Sequence, residues 1–353
     1  MIRALKPCAL GCLLVLALAS CARSSTAGGP TPTSVYRGSL QLSDVAPLLD
    51  DGAHWAPGAP TFGIRPLDVA NTLPEQRLAL TLRYLHVGTA ETLTITYLVW
   101  DSSTVATAIV TNTQTAVGST LTGPPAGDQV LYYTQMFSFS AAPYVAVIMV
   151  RVGQTVATIE WARTPGFAAT SQSGKLAGKV ASKLKDALAG KLKASPPPAV
   201  NPLLLPAPGP DLVLLGATRL PIDVLASMLD AASPSDLKGF FSQLGVTDFA
   251  YGDYTLDADT HMEFQTSAFT FSSPTDATDW LNTAIGATNL DSSGNYITFD
   301  QTTEQYEAFF AAGSHGVIII CKSSAQFEAA SRSCEAPLSR VVTAWKADLT
   351  ALG

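Results

Sequence analysis

Charge is scarce in this 353-residue sequence: Asp, Glu, Lys and Arg together make up 14% of it, against about a quarter in an ordinary globular chain. The 21 basic and 28 acidic residues leave a net charge of −7. The basic footprint that nucleic acid demands is therefore missing, and no nucleic-acid partner is expected. Histidine is equally sparse. His54, His86, His261 and His315 are scattered, none belongs to a His-Glu-x-x-His pattern, and no P-loop or Rossmann glycine pattern occurs, so neither a metal nor a cofactor is expected. Past residue 18 no apolar run is long enough to span a bilayer as a helix. Of five cysteines, three fall within the first 21 residues, which leaves Cys321 and Cys334, too few ligands for a zinc site.

What the sequence does contain starts at its N-terminus. Arg3 and Lys6 precede an apolar core from Ala9 to Leu18, the pattern of an export signal. The core closes on Leu18-Ala19-Ser20-Cys21, which resembles the lipobox of bacterial lipoproteins. The resemblance implies cleavage before Cys21, a diacylglyceryl group on its thiol and acylation of the new N-terminus, with lipid chains holding the protein on a membrane. Residue 22 is Ala rather than Asp, so the commonest inner-membrane retention signal is missing. The expected location is the cell membrane or outer membrane, on the side facing away from the cytoplasm. Loss of residues 1–20 leaves 19 basic against 28 acidic residues. In that oxidising setting the isolated pair Cys321 and Cys334 is most simply a disulfide, contributing about 3 kcal/mol in the chain-entropy model.

The mature chain exceeds what one core normally serves, and two domains are expected. Residues 21–34, rich in Ser, Thr, Gly and Pro, read as a flexible tether. Residues 194–218 carry Pro196, Pro197, Pro198, Pro202, Pro206, Pro208 and Pro210 and read as a linker between a first domain at 35–193 and a second at 219–353. The two halves align. Asp44-Val45 lies over Asp223-Val224, and each half continues with alternating strands: Leu78 to Tyr84 and Leu93 to Val99 in the first, Met262 to Phe271 in the second. Trp100-Asp101-Ser102-Ser103 lies over Phe271-Ser272-Ser273-Pro274 as a helix start. Gly153-Gln154 lies over Gly313-Ser314 as a hairpin turn, and each half ends in a long amphipathic stretch, Lys175 to Leu192 and Pro337 to Leu352. This order predicts α+β architecture in two related domains, a tandem duplication in which each copy is a mainly antiparallel sheet covered by helices. The alternative is two unrelated α+β domains built from common elements. In the alignment Cys321 lies over Trp161 and Cys334 over Gly174, so only the second copy has the staple.

Patterns that could carry chemistry mostly resolve into structure. Ser314 beside His315 reads as part of a turn, because neighbouring side chains on an extended chain face opposite ways. Ser235-Asp236-Leu237-Lys238 matches Ser-x-x-Lys, but Ser233-Pro234-Ser235-Asp236 is accounted for as a helix cap. Asp248, Asp253, Asp257 and Asp259 lack the glycine and closing glutamate of a calcium loop and read as a solvated acidic loop. The doublet Tyr132-Tyr133 is expected to leave one ring in solvent. Along Lys175 to Lys193, Leu176, Val180, Leu184, Leu188 and Leu192 recur every fourth residue. Such a helix covers a sheet, with contact of Lys175, Lys179 and Lys183 to anionic headgroups as the alternative.

Ser272 to Leu281 and Gly313 to Cys321 also resemble, faintly, the sensor-like extracytoplasmic domains of actinobacterial lipoproteins and receptor kinases, which implies ligand sensing or binding. No catalytic site is recognisable. The expected function is a lipid-anchored extracytoplasmic binding, sensing or scaffolding protein, attached through its lipid and engaging an envelope ligand or protein. A carrier of an apolar or lipid ligand and a surface hydrolase with dispersed catalytic residues are the alternatives.

Overall fold

The computed structural model describes residues 29–58, 61–64, 76–192, 204–207, 212–229, 234–256, 262–302, 305–323 and 327–352. Cys21, Asp257, Asp259 and His261 lie outside them. The first half begins with two short helices, α1 (Pro32–Gly38) and α2 (Leu42–Val45). Its strands are β1 (Trp55–Pro57), β2 (Thr61–Ile64), β3 (Gln76–His86), β4 (Thr92–Trp100), β5 (Gln129–Met136), β6 (Tyr144–Val152) and β7 (Thr155–Arg163), with α3 (Ser103–Val117) after β4 and α4 (Thr170–Leu188) at the end. The second half has β8 (Leu212–Leu220), α5 (Ile222–Leu229), α6 (Pro234–Gln243), β9 (Val246–Leu256), β10 (Met262–Phe271), α7 (Pro274–Ile285), β11 (Asn295–Asp300), β12 (Gln305–Ala312), β13 (His315–Ser323) and α8 (Phe327–Leu352).

Both sheets are antiparallel and have one topology. The first runs β1-β3-β4-β7-β6-β5, with β2 also on β3, and the second runs β8-β9-β10-β13-β12-β11. The α+β reading with two related sheet domains therefore holds. Correspondence extends to single bonds. Ser102 and Ser273 cap α3 and α7 with nearly the same backbone angles, φ −151°, ψ 162° and φ −150°, ψ 161°. The residues preceding these caps by two, Trp100 and Phe271, donate their N–H to Gln154 and Ser314 in the neighbouring turn, at 3.0 and 2.8 Å. Gly153 and Gly313 open those two-residue turns with φ of 59° and 54°, a conformation in which a Cβ would be strained.

Alternation explains which side chains meet. Leu78, Leu80, Leu82 and Tyr84 of β3 stand opposite Val99, Tyr97, Ile95 and Leu93 of β4, all buried on the face beneath α4. The Leu176, Val180 and Leu184 stripe of α4 is fully buried there. The opposite face of the same sheet packs Trp100, Leu131, Tyr133, Val147 and Met149 against Ala106 and Val110 of α3. Because helices cover both faces, Tyr132 and Tyr133 point opposite ways, as an extended chain requires, yet both are buried, at 4% and 8% exposed. The expectation of one ring in solvent is corrected by that second layer.

Two further readings are revised. Leu212 to Thr218, assigned to the linker, belong to β8: the prolines stop at Pro210, and the apolar run after them pairs with β9. The counterpart of the β3–β4 hairpin is β9 with β10, not the 262–271 strand alone. Strand β9 escaped the periodicity reading because it carries Asp248 and Asp253.

Each sheet fastens the chain that enters it with a tyrosine. Tyr84 of β3 and Tyr254 of β9 occupy one position, opposite Leu93 and Phe264. The Tyr84 hydroxyl donates to the Leu40 carbonyl at 2.5 Å, and Tyr254 donates to that of Pro206 at 3.1 Å. Tyr97 completes the first clasp by accepting the Leu40 N–H at 2.9 Å. Cys321 of β13 and Cys334 of α8 form a disulfide with Cα atoms 6.0 Å apart, and both are fully buried.

Replacing Cys321 and Cys334 together by Ala is expected to lower stability by about 3 kcal/mol, seen as a fall in the urea midpoint that reductant reproduces in the parent. Tyr84→Phe or Tyr254→Phe strands a buried carbonyl and is expected to cost about 1 to 3 kcal/mol, measurable in the same titration.

Candidate functional site: a buried carboxyl pair in the second sheet

On the face of the second sheet opposite α8, one end is apolar. There Phe249, Phe269 and Phe271 meet Trp280 of α7, with ring centroids of Phe269 and Phe271 at 5.9 and 5.7 Å from the indole. The other end of this face is polar. Register places Asp253 opposite Gln265, Thr255 opposite Glu263, Glu263 opposite Lys322 and Thr218 opposite Tyr251. Asp253 and Glu263 are 0% and 2% exposed, so two carboxyl groups are held out of water on adjacent strands.

Their partners are few. The Tyr251 hydroxyl donates to Asp253 Oδ1 at 3.2 Å, Gln265 Nε2 donates to Glu263 Oε1 at 3.3 Å, and Lys322 Nζ donates to Gln265 Oε1 at 3.4 Å. Asp253 and Glu263 are in hydrogen-bond contact with each other, and the Thr218 hydroxyl is buried with no hydrogen-bond partner. Desolvation raises the Asp253 carboxyl well above the usual carboxylate range, and the adjacent Glu263 charge raises it further. Burial pushes Glu263 up to about 7, against the pull of Lys322 and Gln265. Two carboxyl groups in contact in a dry site cannot both ionise cheaply, so the pair holds a proton between them. With one proton on the pair, the remaining negative charge balances Lys322. Loss of that proton leaves an uncompensated buried charge. The arrangement can therefore take up or release a proton near neutrality.

The first copy lacks all of this. At the matching register positions stand Arg83 for Asp253, Thr92 for Glu263, Thr94 for Gln265 and Ala162 for Lys322, and these are not buried. One scaffold folds without the pair, so the topology does not require it.

No family model matches this chain, and no curated protein matches it. Among solved structures, the extracellular domain of PknH from Mycobacterium tuberculosis is 13% identical, covering 45% of this chain and 98% of that one at a TM-score of 0.34. A likeness of that extent carries neither activity nor ligand across.

The other sequence candidates fall elsewhere. Asp248 is not part of a solvated acidic loop: it is in β9, and its two carboxylate oxygens share the Arg219 Nε–H at 2.9 and 2.7 Å. Asp253 is the core of the buried pair. The acidic-loop reading is thus overturned for both, because in a strand the side-chain direction decides burial and composition does not. His315 opens β13 beside Thr270, with Nδ1 at 3.3 Å from its hydroxyl oxygen. Lys179 and Lys183 reach Asp44 of α2, Lys179 at 3.6 Å, and Lys175 is exposed. Ser235 and Lys238 are on α6, which starts with Pro234 as the cap reading requires. One further cluster went unread: Asp51, at φ 53°, places its carboxylate 2.8 Å from His54 Nδ1 and 3.8 Å from His86 Nε2. Among the described residues no group of three or more Asp, Glu, His or Cys is arranged to hold a metal ion.

The sign of the pH dependence follows from the raised carboxyl values. In the unfolded chain Glu263 titrates near its ordinary 4.5, and in the folded chain near 7. The folded state therefore binds more protons, and its stability is full below about pH 4.5 and lost as pH rises through about 7. Glu263→Gln is expected to flatten that decline. Urea midpoints at pH 5 and pH 8 check it: equal slopes for parent and variant would remove the pair from the pH response.

Proposed function

We propose that this protein is a lipid-anchored extracytoplasmic binding or sensing protein of a bacterial envelope, and that its second domain is the responsive one. The observation that carries this reading is the asymmetry between two scaffolds of one sheet topology. Both copies have the same sheet topology, caps, turns and tyrosine clasp, while only the second has a buried carboxyl pair. A group expensive to bury and unnecessary to the fold is a mark of function. The lipobox at Cys21 supplies the anchor; of the stretch 21–34 read as a tether, Thr31 to Ser34 instead cap and open α1, which leaves the residues before them as the link to the lipid. The Cys321–Cys334 disulfide suits an oxidising compartment. No helix of the described residues is long and apolar enough to cross a membrane. A hydrolase would need substrate in contact with the pair, and both carboxyl groups are closed off from solvent.

Mass spectrometry of the protein recovered from bacterial membranes tests the anchor. The expected mature chain begins at Cys21 and carries acyl groups, and Cys21→Ala is expected to shift the protein from the membrane to the soluble fraction. An unmodified cysteine in membrane-bound protein would sink the lipid-anchor reading.

A further inference from the structure

Seven large apolar side chains stand exposed among the described residues, and five of them, Val87, Met136, Phe137, Phe139 and Phe167, lie at one end of the first sheet. That end is where β5 turns into β6, where β7 leaves the sheet and where β3 turns into β4. Phe139 is fully exposed, Met136 65% and Phe137 51%. The turn that presents them is ordered: Phe137 N–H bonds the Pro143 carbonyl and Ser140 N–H bonds that of Phe137, both at 2.9 Å, while the Ser140 hydroxyl bridges to Ala142. Beside it the Tyr144 and Phe167 rings meet edge to face at 5.2 Å. Between Asp128 and Arg151 the sequence contains no charged residue. The hairpin tip itself carries two free phenyl rings and no charge, which suits the interfacial layer of a bilayer, where aromatic rings settle, while the ion pairs of Arg163 with Asp50 and Glu91 lie behind it at the same end of the sheet.

Chain length supports that occupant. The described chain begins at Gly29, packed so closely on Gln154 that a Cβ there would lie 2.8 Å from its Oε1. Gln154 is in the β6–β7 turn, at the far end of the sheet from the aromatic tip. The nine residues of β6 separate the two ends by about 27 Å. The eight steps from Cys21 to Gly29 reach about 27 Å when extended. That maximum reach equals the distance between the two ends of the sheet, so a lipidated Cys21 is able to reach the plane of the tip. A single acyl chain binds weakly and reversibly, and a second contact is what makes attachment durable.

We propose that the β5–β6 hairpin tip, through Phe137 and Phe139 with Met136 and Phe167 beside them, inserts into the lipid bilayer interface as a second membrane contact. The site of the bilayer rests on the lipid-anchor reading, whereas insertion itself does not. The test therefore uses the mature chain carrying Cys21→Ala, so that its failure says nothing about acylation. Flotation with phosphatidylcholine vesicles is expected to recover the parent. Phe137→Ser with Phe139→Ser is expected to lower partitioning about tenfold or more, with an unchanged circular dichroism spectrum and thermal midpoint. Binding is expected to persist from low to high salt and in Lys175→Glu. In Phe139→Trp the indole emission should move to shorter wavelength with vesicles and be quenched by brominated lipid. Absence of the parent from the vesicle fraction, equal partitioning of the double variant, loss of binding with salt or an unmoved indole emission would each overturn the proposal, the first in favour of a protein partner for the tip.

Discussion

The clasp between a buried tyrosine hydroxyl and an incoming main-chain carbonyl is the constraint on which both halves depend. Tyr84 holds Leu40 and Tyr254 holds Pro206, each from the same position of the second strand in its copy. A phenol buried this deeply must have an acceptor. The carbonyl it takes belongs to the segment that leads into the sheet, so the same bond that satisfies the ring fixes where the chain enters. In the first half this seats α1 and α2 over the sheet, where Asp44 receives Lys179 and Lys183 of α4. In the second it seats β8 along β9, and β8 closes the edge beside which the carboxyl pair is buried. The buried apolar residues under α4 and those under α8 belong to one continuous cluster, so the two clasps serve one core.

With the scaffold held in that way, the copies diverge where the fold tolerates it. Trp161 occupies the position at which the second copy has Cys321, and each is fully buried beneath the terminal helix. One site is filled by an indole, the other closed by a covalent bond. On the opposite face the first copy leaves Thr92, Thr94 and Arg83 toward solvent. The second buries Glu263 and Asp253 in their place, keeping them tolerable by a shared proton and the Lys322 charge. The hydroxyl of Thr218 beside them has no partner, which is unusual for a buried polar group.

The aromatic end of the first sheet and the carboxyl pair of the second are separate devices. One consists of apolar side chains left in water, the other of charged side chains taken out of it. Each runs against the ordinary distribution of residues, and neither is needed to hold its sheet together.

Local pattern alone determined much of the frame: two α+β units, the Ser102 and Ser273 caps, the Gly153 and Gly313 turns, the α4 and α8 stripes and the pairing of Cys321 with Cys334. These depend on residues within a few positions of one another or, for the cysteines, on there being no other cysteine past residue 21. Tertiary structure decided the rest. Asp253 in Tyr-Gly-Asp-Tyr looks like a loop acid until β8 and β10 are paired to either side of it, because burial in a strand depends on neighbours far away in sequence. Phe137-Ser138-Phe139 alternates like a continuing strand, and only the end of the β5–β6 ladder turns its rings outward. Tyr132 and Tyr133 were legible as facing apart, but not as both buried, since a sheet covered on two faces is a property of the assembled layers and not of the doublet.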